Sequence, residues 1–408
     1  MVTIRNGIRH NDNSFDTLRL VFAVLVIFSH SFALGRGSND TEPLSVLTHG
    51  QITLGNVSVW AFFVISGFLI AQSWTRSPKP LKFLRRRVAR IYPGFAVAAL
   101  LTALIVVPLA TDPPVHHPMA MRSFLWQTLR LQVFGAPPVF VHNAWPNVLN
   151  GSLWSVPFEF WCYIGILLLG VTGILLRRWL VAALFAAAIG WHLYLSITGW
   201  IPGGKILGVI FGFPLFWAVV LPFFLAGSLF HIFGGAIVLR KPLMIVALVI
   251  LIASNFIPHA LVVTLPTCGA YVLLSLAYLP LLRPLNLGRF GDFSYGAYLY
   301  AFPIQQLIVK YAGGAMAPIK LFMLAAPLAV GAGALSWFLV ERHFLTSSHA
   351  LKLVDFDWNH AATRLTSIWR WRWRRRSSVA GPGVSAGEGA RQDRPPDTSP
   401  QTAEIVST

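Results

Sequence analysis

The sequence predicts an all-α, polytopic membrane bundle of about ten transmembrane helices with both termini cytoplasmic, and three observations carry that expectation. Of the 408 residues, 55% are hydrophobic and 11% charged, and the mean hydropathy is +0.64, well above that of soluble domains. Apolar stretches long enough to cross a bilayer follow one another along the chain. The links between them alternate between rich and poor in Lys and Arg, as expected when basic loops stay on the cytoplasmic side.

The first segment, residues 15–34 (FDTLRLVFAVLVIFSHSFAL), carries Asp16, Arg19 and His30 within an apolar run. Ionisable groups in hydrocarbon are costly and mark function by default. Arg19 and His30 are eleven residues apart; at about 100° per residue they share one helix face, separated by about 16 Å along the axis. With no small-residue cleavage site after it, this segment is expected to be a retained first helix rather than a signal peptide.

Further segments are predicted near 53–73, 91–110, 152–175, 179–197, 214–233, 242–257, 260–281, 292–312 and 318–341. The stretch from Lys205 to Phe233 is long for one span and contains Pro214 and Pro222, so part of it is expected to be kinked or re-entrant. Basic residues collect at the N-terminus, in 74–90, at Arg177 and Arg178, at Arg240 and Lys241, at Arg283 and Arg289, and in the C-terminal tail. The formal net charge of +18 is therefore read as topology and lipid contact, with no nucleic-acid partner. The chain divides into a cytoplasmic N-terminus (1–14), a membrane domain (15–345), a basic Trp/Arg-rich juxtamembrane segment (346–376) and a tail (377–408) whose Pro, Gly, Ser and Thr content predicts disorder. In the third of these, IWRWRWRRR (368–376) suits anionic headgroups.

The one long extracytoplasmic link, 111–151, is expected to roof a site opening outward. Its His116 and His117 lack further ligands at metal spacing and read as loop residues. Cys162 and Cys268 fall in apolar segments and read as packing, so neither a disulfide framework nor a metal site is expected. His192 and His231 likewise read as packing or pore residues.

In the link ending RRRVARIYP, Arg87 and Arg90 fall on one face if helical, a fork suited to phosphate oxygens; a run that merely fixes topology is the other reading. FFVISGFLI, with Ser66 and Gly67, reads as a close helix crossing. In SLWSVPFEFW, Glu159 lies about two turns below the outer surface, a depth comparable with that of His30. It is expected to orient the imidazole or hold a hydroxyl, the alternative being a structural ion pair. Asp292, at the start of the ninth segment, reads as a helix cap.

Taken together, Arg19 and His30, FFVISGFLI, Arg87 and Arg90 before Tyr92-Pro93, SLWSVPFEFW with Glu159, and SYGAYLYAFPIQQ resemble the acyltransferase-3 family of bacterial integral membrane O-acyltransferases over roughly 15–345. The resemblance implies a multi-pass inner-membrane enzyme without a tightly bound cofactor. It would use acetyl-CoA or another short acyl-CoA from the cytoplasm, and a carbohydrate hydroxyl as acceptor on a surface or exported glycan such as lipopolysaccharide. It assigns His30 as catalytic base, Arg19, Arg87 and Arg90 as donor-binding cations, and Glu159 as a functional carboxylate. Direct transfer and an acyl-His30 relay both stay open. Two departures stand out: many members have His where this chain has Ala301, and larger members carry a soluble esterase-like domain where this one has only the basic tail. A glycan or glycolipid transporter with His30 and Glu159 as a proton relay is the alternative, weakened by the lack of evident inverted repeats. Acceptor identity and oligomeric state stay open.

Overall fold

Proline sets where several of the helices begin, because its missing N–H costs nothing in the first turn. The computed structural model describes residues 2–3, 13–112, 121–132, 138–203, 208, 210–279 and 287–346. All belong to one compact unit, Met1–Ser348. The expected headgroup-binding segment IWRWRWRRR, the tail after it, and His116 and His117 lie outside the described residues.

Among the described residues, eight helices are long and apolar enough to cross a membrane. They are α1 (Phe15–Arg36), α3 (Leu54–Arg76), α4 (Pro80–Ala110), α6 (Gly151–Val171, opening as a 3-10 turn), α7 (Arg178–Thr198), α8 (Pro214–Ile232), α10 (Ala260–Ala277) and α12 (Pro318–Leu345). Short helices α2 (Pro43–Leu47) and α5 (Met121–Leu129) lie in the links. The two other expected spans also form helices: α9 (Lys241–Ser254) has only 14 residues, and α11 (Ser294–Tyr311) carries Gln305, Gln306, Lys310 and four tyrosines, which lower its hydropathy. Every expected segment is thus helical, eight of them with unambiguous span character. Strands β1 (Val2–Thr3) and β2 (Val238–Leu239) pair antiparallel.

Within Lys205–Phe233, expected to be kinked or re-entrant in part, the described residues turn before a single long helix. Gly212 turns the chain with φ +84, Phe213 caps, and α8 starts at Pro214 as one helix with Pro222 inside it. Helix α4 passes through a π turn at Thr102–Val106, just before Pro108, which has no N–H to offer the Leu104 carbonyl. A second π turn, Trp337–Glu341 in α12, has no proline; its last residue is Glu341, which is buried.

Helices α1, α3, α8 and α11 form the centre, α12 packs on α1 and α11 from outside, α4 and α6 close one side, and α7, α9 and α10 lie outward. The outward helix α9 exposes Leu243, Ile245, Val246, Val249 and Ile252, a surface for lipid rather than water. The tightest crossing is α3 on α8. A Cβ on Gly67 would stand 1.9 Å from the Phe224 carbonyl oxygen, and one on Gly227 would stand 2.0 Å from that of Val64. The packing expectation for FFVISGFLI therefore holds at Gly67 but not at Ser66, which faces α6. Gly67→Ala is expected to force the two backbones apart and cost about 1–3 kcal/mol or more, read as a lower thermal midpoint of the detergent-solubilised protein.

Helices α1 and α11 run parallel. Arg19 meets Asp292 at one end, and the Met316 N–H donates to the Gly35 carbonyl at the other. From Asp292 to Phe302 is about 15 Å of rise and from Arg19 to His30 about 16 Å, so the two helices keep register. This register positions the site.

Candidate active site

The basic run of the third expected segment is helical from Pro80 onward, so Arg87 and Arg90 do share a face three residues apart. The Arg90 guanidinium donates to Asp292 Oδ2 at 2.5 Å, and Arg19 donates to the same oxygen at 2.6 Å. Arg90 also lies 3.5 Å from Glu341 Oε2, whose other oxygen accepts from the Ser336 hydroxyl at 2.9 Å. Asp292 Oδ1 accepts from the Ser294 backbone N–H and hydroxyl. The expectation that Asp292 serves as a helix cap is thus only part of its role. It tethers two arginines from α1 and α4 beneath the start of α11.

Arg87 is different. Its guanidinium stacks over the rings of Phe83 and Tyr163, at 5.6 Å and 5.7 Å from their centroids. Its buried Nε has no hydrogen-bond partner, and among the described residues no carboxylate lies within ion-pair distance of it. Arg19 and Arg90 are balanced by Asp292 and Glu341, whereas among the described residues Arg87 and exposed Arg86 form no ion pair and share their cavity with Glu159.

These groups surround a cavity of about 260 Å³ lined by Arg19, Phe62, Ser66, Arg86, Arg87, Arg90, Glu159 and Tyr163, among others. A narrower cavity of about 40 Å³ adjoins it, sharing Arg19, Phe62 and Glu159 and adding Ser155, Tyr295 and Tyr298. Glu159 Oε1 accepts from the Tyr163 hydroxyl at 2.5 Å and from Ser66 at 3.1 Å. The expectation that Glu159 orients the imidazole therefore meets a different geometry. Its partners are Ser66 and Tyr163, and its cavity is that of the arginines.

His30 lines neither cavity. Its ring stands edge-on to Phe302, with centroids 5.4 Å apart, and its buried Nδ1 has no hydrogen-bond partner. The Gln305 amide donates to the Ile27 carbonyl and the Ser31 hydroxyl, both at 2.8 Å, bracketing His30 on α1. Ala301, one residue before Phe302, is buried with Ile27, Ala325 and Ala329 in an apolar cluster.

The link before α6 closes over this end. Asn143 donates to the Gln306 carbonyl and to Oε1, and Gln306 donates back to the Trp145 and Val148 carbonyls. Ala144 N–H donates to Gly314, and Lys310 pairs with Asp112 at 2.8 Å. The Asn150 amide donates to Leu299, and Gly151 lies against the Phe302 ring. Residues 138–151 thus dock onto α11 around the His30 level.

The structure therefore brings Arg19, Arg87, Arg90 and Glu159 to one cavity and puts His30 about three turns away along α1. Asp292, Glu341, Ser66, Tyr163 and Tyr298 were not marked as site residues by the sequence pattern. The available signal was scarcity. With only 14 acidic residues in the chain, carboxylates at the edges of apolar segments need cationic partners, and Arg19 and Arg90 were at hand.

Comparison with known proteins agrees with this architecture. A sequence model described as an acyltransferase domain matches residues 12–341. The chain is 30% identical over 347 residues to an O-acetyl transferase of Shigella phage Sf6, covering 83% of this chain and 98% of that protein. It is 28% identical over 358 residues to nodulation protein 10 of Rhizobium leguminosarum bv. viciae, covering 81% and 92%. It is 31% identical over 177 residues to acyltransferase MdmB of Streptomyces mycarofaciens, covering 41% and 42%. No solved structure matches. A domain match spanning the whole helical bundle, and a relative aligned over nearly its full length, show that the chain belongs to the acyltransferase-3 family and is a multi-pass membrane O-acyltransferase.

Proposed function

We propose that the protein transfers an acyl group, acetyl in the simplest case, from cytoplasmic acyl-CoA to a hydroxyl of a surface or exported carbohydrate, in the bacterial inner membrane. One observation carries the reading: an arginine-lined cavity at one end of α1 narrows along α11 toward an imidazole at the other end. The basic links favour the arginine end as the cytoplasmic one. The name of the phage relative favours acetyl.

In this reading the donor's phosphates rest on Arg87 and Arg86, whose charge no neighbouring ion pair consumes, while Arg19 and Arg90 are held in place by Asp292 and Glu341. A planar guanidinium braced on two rings suits phosphate oxygens. The pantetheine arm extends through the narrow cavity toward His30. There the acceptor hydroxyl, entering beneath residues 138–151, gives its proton to His30 as its oxygen attacks the thioester carbonyl. The C–S bond breaks, and the proton passes to the departing thiolate. Glu159 acts from the donor side, keeping Tyr163 under Arg87.

Reconstituting the purified chain in vesicles with radiolabelled acetyl-CoA and envelope carbohydrate tests this. Label is expected in the carbohydrate only when both substrates and the chain are present. Carbohydrate crossing the bilayer with acetyl-CoA left intact would instead make the chain a transporter.

A further inference from the structure

The narrow cavity stops short of His30, and what stands at its inner end is a pair of hydroxyls. Ser155 Oγ and the Tyr298 hydroxyl are 2.7 Å apart, and both residues are buried. Each line the cavity that opens, through Arg19 and Glu159, into the arginine-lined one. The Tyr298 ring is 6.1 Å from that of Phe62, which in turn is 6.4 Å from Phe22, one turn beyond Arg19 on α1. Four residues after Tyr298 comes Phe302, the ring against which His30 packs; that is one turn, about 6 Å of rise. Tyr298 thus lies between the donor cations and His30, at the level an acyl group reaches just before it meets the imidazole.

Two hydroxyls bring two O–H protons, and one hydrogen bond between them uses one. Neither oxygen makes another hydrogen bond among the described residues, so one O–H proton remains without an acceptor beside the narrow cavity. Left that way, a buried donor costs free energy. A carbonyl oxygen arriving from the cavity would satisfy it.

We infer that Tyr298, steered by Ser155, is a catalytic residue that donates a hydrogen bond to the thioester carbonyl oxygen, a role that rests on the acyl-CoA reading above. When the acceptor hydroxyl attacks, the new C–O bond forms and the carbonyl π pair moves onto this oxygen, where the phenol O–H meets the developing negative charge. As the carbonyl re-forms, the C–S bond breaks and the coenzyme leaves as thiolate, taking up the proton that His30 accepted. Tyr298 ends the cycle with its own proton. Hydrogen bonds aimed at developing charge in a site that excludes water contribute most in the transition state and little to donor binding.

The test uses the full-length chain in vesicles, comparing wild type with Tyr298→Phe and Ser155→Ala. For each, kcat and donor KM for acyl transfer, affinity for free CoA, and the thermal midpoint are measured. Tyr298→Phe is expected to lower kcat about 10²-fold while donor KM and CoA affinity stay within about threefold and the midpoint is unchanged. Ser155→Ala, which leaves the phenol in place, should lower kcat less. A Tyr298→Phe enzyme with kcat within about threefold of wild type overturns the role. So does a loss that tracks a fall in CoA affinity or in the midpoint, since the pair would then be structural. Wild-type protein that transfers nothing from acyl-CoA overturns the functional reading and this role together, an outcome distinct from an active wild type with an indifferent Tyr298 variant.

Discussion

Replacing His30 with alanine is expected to lower acyl transfer about 10²–10⁴-fold, the usual contribution of a general base, with CoA affinity unchanged. The separation follows from position. His30 lines neither cavity, and its ring rests on Phe302, about 16 Å along α1 from Arg19. In the proposed reading, removing it takes a base from the acceptor end and leaves the arginines undisturbed. Initial rates in vesicles, together with titration of free CoA, check both halves. Loss of CoA binding in His30→Ala would show that the two ends of α1 are not separate stations.

The second large effect divides two arginines that sit one turn apart. Arg90→Met removes a cation shared by Asp292 and Glu341 and leaves two carboxylates short of a partner inside the bundle. Breaking a buried pair from one side costs about 3–5 kcal/mol, so this variant is expected to be poorly folded. Arg87→Gln removes a guanidinium that no carboxylate holds. It should fold with a near-normal midpoint while donor KM rises about tenfold or more, as expected from losing a charged hydrogen bond of about 1.5–3 kcal/mol. Melting curves and donor saturation curves on the same preparations separate the two. Equal behaviour of the variants would remove the distinction between a tethering arginine and a donor-binding one.

Much of this was legible before the fold was known, because membrane spans advertise themselves by length and hydropathy. All ten expected segments are helical, and even α11, with its tyrosines and glutamines, lies where the motif SYGAYLYAFPIQQ places it. The ion cluster was harder to foresee. Asp292 has Ser294 two residues on, so its local sequence reads as a turn or cap. Its cations come from 273 and 202 residues away, a pairing that local pattern does not encode. Glu159 was placed by counting turns from the outer surface, which gives depth but not azimuth. The structure turns it toward Ser66 and Tyr163, because Ser66 sits on the face of α3 opposite α6 while Gly67 beside it meets α8. Tyr298 carries no such signal, because a tyrosine in an apolar helix is ordinary and only the fold brings its hydroxyl to a cavity.

The central claim is that the chain acylates carbohydrate through His30, and the most direct measurement is the mass of surface glycans from cells carrying either the wild-type chain or His30→Ala at matched membrane levels. The account predicts the mass of one added acyl group, acetyl in the simplest case, with wild type and its absence with the variant. The same acyl mass in both would contradict it.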